Sequence, residues 1–153
     1  MKLRVLWLGK TRDPWIKNGV AEYATRVGRY LPLSVDELKD EKDATQEEGR
    51  RREGERLLKQ LSSQAVLVVL DERGQQMTSV QFADFIGKQR DSGTAELVFA
   101  VGGAYGFSDD VRNRASKVLA LSAMTFTHQM VRPFLLEQIY RAFTILNNEP
   151  YHH

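Results

Sequence analysis

Glu96 to Thr127 reads ELVFAVGGAYGFSDDVRNRASKVLALSAMTFT, and its alternation of apolar and breaking residues decides the fold. Leu97 to Val101 is an apolar run of strand length, broken at Gly102-Gly103 and again at Gly106. Ser108 stands where an N-cap opens a short helix through Arg114, and Val118 to Leu121 reads as a further strand. From Val118 to Thr127 there is no charge at all. A loop that follows a short strand normally faces water, because buried loops must find partners for their N–H and C=O groups. The composition therefore predicts a buried loop whose main chain wraps a small ligand.

Outward from this stretch, apolar runs alternate with helical patterns, which predicts an α/β fold of parallel strands joined by helical crossovers in a single domain. Leu3 to Leu8 is the first strand; Asp13-Pro14 then opens a helix to about Tyr30, with Ile16, Val20, Tyr23, Ala24 and Val27 at helical spacing. Leu33 to Leu38 is a second strand. Thr45 to Leu61 is a charged helix, apolar only near Leu57, Leu58 and Leu61, so its first half is expected to be exposed. Ala65 to Leu70, a Val-rich run without alternation, is expected of a central strand covered on both faces and ended by Asp71, with a turn at Glu72-Arg73-Gly74. Thr78 or Ser79 caps a helix to about Arg90. Arg132-Pro133 begins the last helix, Pro133 to Leu146.

With 153 residues the chain is long enough to bury one adequate core. It has no cysteine, which excludes disulfides, thiolate metal sites and thiol nucleophiles. The apolar part of MKLRVLWLGK is too short for a signal peptide or a membrane span, and a cytoplasmic protein without membrane attachment is expected. The net charge of +2 matters only once located. Residues 1–30 carry seven Lys and Arg against Asp13 and Glu22, interleaved with Trp15, Tyr23 and Tyr30. Such a surface suits a polyanion, although a solvated helix face reads the same way.

Gly102-Gly103-Ala104-Tyr105-Gly106 lets the backbone turn and approach a ligand closely. It lacks the Lys-Ser/Thr of a P-loop and the GxGxxG spacing of a dinucleotide site. Ser122, Thr125 and Thr127 supply the hydroxyls of the uncharged loop, and Met124 and Phe126 could flank a flat ring. Glu137 and Arg141 are spaced for an ordinary i,i+4 pair, Arg132 could reach an anionic substrate, and His128 is either a core hydrogen bonder or a substrate contact. No GxSxG elbow and no convincing metal-ligand spacing is present, so no metal is expected.

The segments MKLRVLWLGK, VVLDERG at Val68–Gly74, FAVGGAYGF at Phe99–Phe107, LALSAMTFTHQMVRPFLLEQIYRA at Leu119–Ala142 and the terminal NNEPYHH together resemble the large-subunit ribosomal RNA methyltransferase H family. That family belongs to the SPOUT class of trefoil-knotted methyltransferases, and the resemblance runs the length of the chain. It implies a three-layer parallel-sheet fold with a C-terminal trefoil knot, and an S-adenosylmethionine-dependent homodimer. The implied reaction is methylation of N3 of a pseudouridine in 23S rRNA of the ribosome. By matching motif, Leu70, Gly102 and the loop Leu121, Ser122, Ala123, Met124, Thr125 and Phe126 would hold the cofactor. Tyr151 and His152 in the tail would close over the reaction site, with Arg132 as a further catalytic or RNA-contacting candidate; the titration range of histidine makes His152 the expected proton acceptor. Arg12, Lys17, Arg26 and Arg141 would contact RNA. Where the family usually ends in a basic residue after Tyr-His, this chain has His153. Two other readings fit the residues alone: a non-catalytic ribosome-associated RNA-binding protein with a degenerate pocket, and a flavodoxin-like nucleotide-binding module.

Overall fold

The computed structural model describes residues 1–153. Five parallel strands, β1 (Lys2–Leu8), β2 (Leu33–Leu38), β3 (Val66–Gln76), β4 (Glu96–Val101) and β5 (Lys117–Ala120), form one sheet in the order β2-β1-β4-β3-β5. The helices are α1 (Pro14–Val27), α2 (Gln46–Leu58), α3 (Ser79–Asp91), α4 (Asp109–Arg114) and α5 (His128–Leu146). Side chains alternate along each strand, so the sheet feeds two cores. Leu3, Val5, Trp7, Val68, Leu97, Phe99 and Val101 join Leu135, Leu136 and Ile139 of α5 on one face. Leu6, Leu8, Leu67, Val69, Val98 and Ala100 meet Leu57 of α2 and Val111 of α4 on the other. The three-layer α/β expectation holds, and the continuous apolar runs reflect strands covered on both sides.

Four expectations require correction. β3 does not end at Asp71: after a bulge it runs on to Gln76, so that both Leu70 and Gln75 pair with Leu119. Gly74 permits this, since a Cβ there would lie 2.6 Å from the carbonyl oxygen of Val118. The first half of α2 is not simply exposed, because Gly49 and Glu53 are buried together with Gly54 and Leu57. Two glycines on one face let a polar helix lie almost backbone-to-loop on residues 102–108.

α5 begins at His128 rather than at Pro133. The Thr127 hydroxyl accepts the Met130 N–H at 3.2 Å and caps the helix early. Pro133 is carried inside, leaving the Gln129 carbonyl without its helical donor, while the Pro133 ring packs beside Gly19 of α1. Finally, the uncharged loop is not buried. Met124 is 75% and Phe126 39% exposed. The loop meets its own polar needs instead: Ser122 Oγ accepts the Met124 N–H at 3.0 Å, and the Thr125 hydroxyl donates to Glu72.

Candidate functional site

Where β4 ends, three residues of adjacent strands stand side by side in register, Val101 beside Leu70, just before the bulge of β3, and Leu70 beside Leu119. They floor a cleft of about 660 Å³, within the size range of small-molecule sites. The cleft sits where ligands bind in open parallel sheets, outside the carboxyl ends of the strands. One wall is Gly102 to Phe107 and the other is Leu121, Ser122 and Met124 to His128. The structure thus gathers Leu70, Gly102, Leu121, Ser122, Met124, Thr125 and Phe126 around one space. Ala123 belongs to the same loop but does not face it.

The glycine wall is shaped by its backbone. Gly106 adopts φ +75°, a left-handed turn that glycine enters without strain, and its N–H closes on the Gly103 carbonyl at 3.1 Å. Charges gather at the rim. The Asp71 carboxylate accepts from the Arg73 N–H at 2.8 Å and from the Arg112 guanidinium. Burial pushes this carboxyl up, but the bonds from Arg73 and Arg112 outweigh it and hold Asp71 below the usual range. This network was not read from the sequence, whereas His128 was expected as either a core hydrogen bonder or a substrate contact. His128 lines the cleft and also a second, strongly charged groove of about 920 Å³ beyond the ends of β1 and β2. Burial, reinforced by Arg132 and Arg12, lowers its pKa and keeps the imidazole neutral. The groove carries Lys10, Arg12, Lys39, Lys42 and Arg52 against Glu37, Asp40, Glu41 and Asp43.

Arg132 is corrected from a catalytic or substrate-facing residue to a buried clasp. It is 0% exposed, and its guanidinium donates to the carbonyls of Leu8 (2.9 Å) and Gly9 (3.0 Å) and to the Thr11 hydroxyl (2.9 Å), with Trp7 beneath it at 4.9 Å. Burial brings its pKa down to about 10, partly offset by Glu37 at 3.7 Å, so it stays charged. These bonds tie the start of α5 to the end of β1.

Tyr151 and His152 lie away from the cleft of their own chain. The Tyr151 hydroxyl donates to Glu137 at 2.9 Å, and burial together with hydrogen bonding raises its pKa. Arg141 sits over the Tyr151 ring at 4.8 Å, pairs with Glu137 at 2.6 Å and meets His152 Nδ1 at 3.2 Å. A guanidinium only donates, so Nδ1 accepts and the neutral ring carries its proton on Nε2. Arg141 is ten positions beyond Val131 of the cleft, about 15 Å along the helix. Of the expected RNA-contacting residues, Arg12 and Lys17 are exposed, with neither in an ion pair. Arg26 is bound to Glu22 at 2.7 Å and lies over Tyr23 and Tyr140.

A family model described as "Predicted SPOUT methyltransferase" matches residues 1–152. The chain belongs to the SPOUT methyltransferase family. Within it, the chain is 83% identical over 153 residues to the "Ribosomal RNA large subunit methyltransferase H" of Trichlorobacter lovleyi and 65% identical to the protein of that name from Pelobacter propionicus, covering all of both chains in each case. Among solved structures it resembles the SpoU methyltransferase AviRb of Streptomyces viridochromogenes, determined in complex with the cofactor AdoMet. The TM-score is 0.52 and the identity 14%, over 94% of this chain and 61% of that one. At that identity the likeness concerns the fold.

Proposed function

We propose that this protein methylates N3 of a pseudouridine in 23S rRNA of the ribosome, using S-adenosylmethionine, and works in the cytoplasm as a homodimer with a trefoil knot formed by its C-terminal third. The observation that carries the reading is the cleft floored by Leu70, Val101 and Leu119, with main chain of Gly102–Gly106 on one side and Leu121–Phe126 on the other. The names of the relatives supply the rRNA class, and the AdoMet-bound neighbour is in keeping with the donor.

When bound, the sulfonium donor supplies an already activated methyl group, and transfer to N3 releases the imino proton of the base. The residues then have three tasks: hold the donor, present N3 in line with the methyl, and accept the proton. Apolar floor and loop side chains suit the adenosine part, with Met124 and Phe126 available to cover a flat ring. The exposed Arg12 and the charged groove beside His128 offer a path for the RNA backbone into the cleft, with Lys17 extending it along α1. Arg26 and Arg141 would join only on leaving Glu22 and Glu137. His152 remains the proposed proton acceptor through Nδ1, which requires Arg141 to withdraw.

In one chain this tail does not line its own cleft: Tyr151 is held on Glu137 and His152 on Arg141, about 9 and 15 Å along α5 from Val131. A homodimer placing the tail of one protomer over the cleft of the other resolves this, and Trp15, Phe126 and Phe134, exposed at 58%, 39% and 41%, provide apolar surface for the contact. The test is incubation of the purified protein with methyl-labelled S-adenosylmethionine and ribosomes, followed by mapping of the labelled nucleotide. Label at a single 23S pseudouridine N3 is expected. Donor binding without transfer to any ribosomal RNA would instead favour a non-catalytic RNA-binding protein.

A further inference from the structure

Glu53 is 3% exposed on α2, and only half of its carboxylate is satisfied. Oε2 accepts the Glu41 N–H at 2.9 Å; Oε1 is buried without any partner. A buried acceptor left unpaired lowers stability, so a fold retains one only against some compensation. The carboxylate rests on the glycine wall: a Cβ on Gly103 would lie 3.3 Å from Oε1 and 3.5 Å from Oε2. That wall has the opposite deficit. Among the main-chain N–H groups of Gly102 to Gly106, only that of Gly106 finds an acceptor in the chain. The free acceptor thus lies against Gly103, on the same wall that carries the free donors, at the edge of the cleft.

Neighbouring contacts keep Glu53 in place. The Tyr105 ring covers Gly49, its hydroxyl donates to the Lys42 carbonyl at 3.1 Å, and Ser108 lies against Gly54. Burial, with Asp40 and Glu41 nearby, pushes the Glu53 carboxyl up, while the Glu41 N–H and Arg56 pull it down. Arg56 is itself engaged by Glu41 at 2.8 Å.

We infer that Glu53 is a positioning residue for the cofactor, whose free oxygen accepts a main-chain N–H of the glycine wall when the donor seats and so locks that wall and the 39–43 segment into one unit. This rests on the reading of the cleft given above. Nothing covalent is involved; one hydrogen bond forms.

The inference predicts an unusual pairing of effects for Glu53→Gln, which keeps the shape and replaces the acceptor at Oε1 by an amide donor. Thermal stability should hold or rise, since a buried unpaired carboxylate is removed, while affinity for S-adenosylhomocysteine, measured by calorimetry on the full-length protein, should fall about tenfold. Methyl transfer should show a raised KM for the donor with kcat largely retained. If Glu53→Gln binds S-adenosylhomocysteine like the wild type, or loses stability and affinity together, the inference is overturned. Gly103→Ala approaches the same contact from the loop side, pressing a methyl onto Oε1, and serves where Glu53→Gln does not fold. Weakened binding there supports the inference and unchanged binding overturns it. A wild-type protein that binds no S-adenosylhomocysteine would bring down the cleft reading itself, a failure seen before any variant is made.

Discussion

The two walls of the cleft leave the parallel strands β4 and β5, on either side of β3 in one sheet, yet they are built in opposite ways. Gly102–Gly106 is backed by a helix: Tyr105 covers Gly49 and Gly103 rests on Glu53. Leu121–Thr127 has no such backing, and it exposes Met124 and Phe126. The first wall is a fixed surface with unspent N–H groups, and the second an adaptable apolar flap. This division suits a ligand that must be both gripped and released. It also shows that absence of charge in a loop does not by itself bury that loop in the isolated chain.

The largest effect is expected beneath both walls. Arg132→Ala would leave the carbonyls of Leu8 and Gly9 without their buried donor and would release the start of α5. A loss of about 3 kcal/mol or more in denaturant unfolding is expected; a change under about 1 kcal/mol would show that the clasp is not structural. On the fixed wall, Gly49→Ala gains about 1 kcal/mol of helix propensity but drives a Cβ to 2.6 Å from the Tyr105 ring. Overpacking costs of about 1–3 kcal/mol outweigh that gain. A net loss near 1 kcal/mol is expected, together with weaker S-adenosylhomocysteine binding. A more stable variant with unchanged binding would remove the support we assign to α2.

On the flap the balance reverses. Phe126→Ala gives up a partly exposed ring 5.5 Å from Phe134. Stability should change by no more than about 1 kcal/mol. Cofactor affinity should nevertheless drop severalfold by calorimetry. The smallest effect concerns pH. Asp71 has a folded pKa below its ordinary 3.8, so its contribution is present above that value and fades as pH falls through the lower folded one. Glu53 is displaced upward from 4.5, and its contribution fades as pH rises through that region. Urea titrations of Asp71→Asn across the acid range should therefore show a shallower loss of stability below about pH 4 than the wild type. Identical slopes would deny the carboxylate that role.

Much of the fold was legible because strand and helix periods are local. The runs at Leu3–Leu8, Leu33–Leu38 and Leu97–Val101 each announced a strand, and Thr78 and Ser108 announced their caps. What escaped depended on contacts distant in sequence. β3 passes through Asp71–Gln76 because β5 pairs closely beside Gly74, and Pro133 falls inside α5 because the Thr127 cap starts the helix before it. The site was half legible. The paired glycines and the uncharged loop pointed to the cleft, and the tail was placed by resemblance alone. Arg132 misled because an arginine before a proline at a helix start looks available, and only the fold shows β1 carbonyls waiting beneath it. Glu53 looked like one charge among many on a polar helix, and nothing local to α2 distinguishes the buried carboxylate from its neighbours.

Backbone hydrogen exchange with and without S-adenosylhomocysteine tests the central claim most directly, because it reads both walls at once. Amides of Leu121–Thr127 should slow strongly and those of Gly102–Ala104 more modestly, with β1 and β2 unchanged. Exchange in both walls unaffected by the ligand, or protection confined to the charged groove beyond β1 and β2, would contradict the assignment of this cleft to a methyl donor.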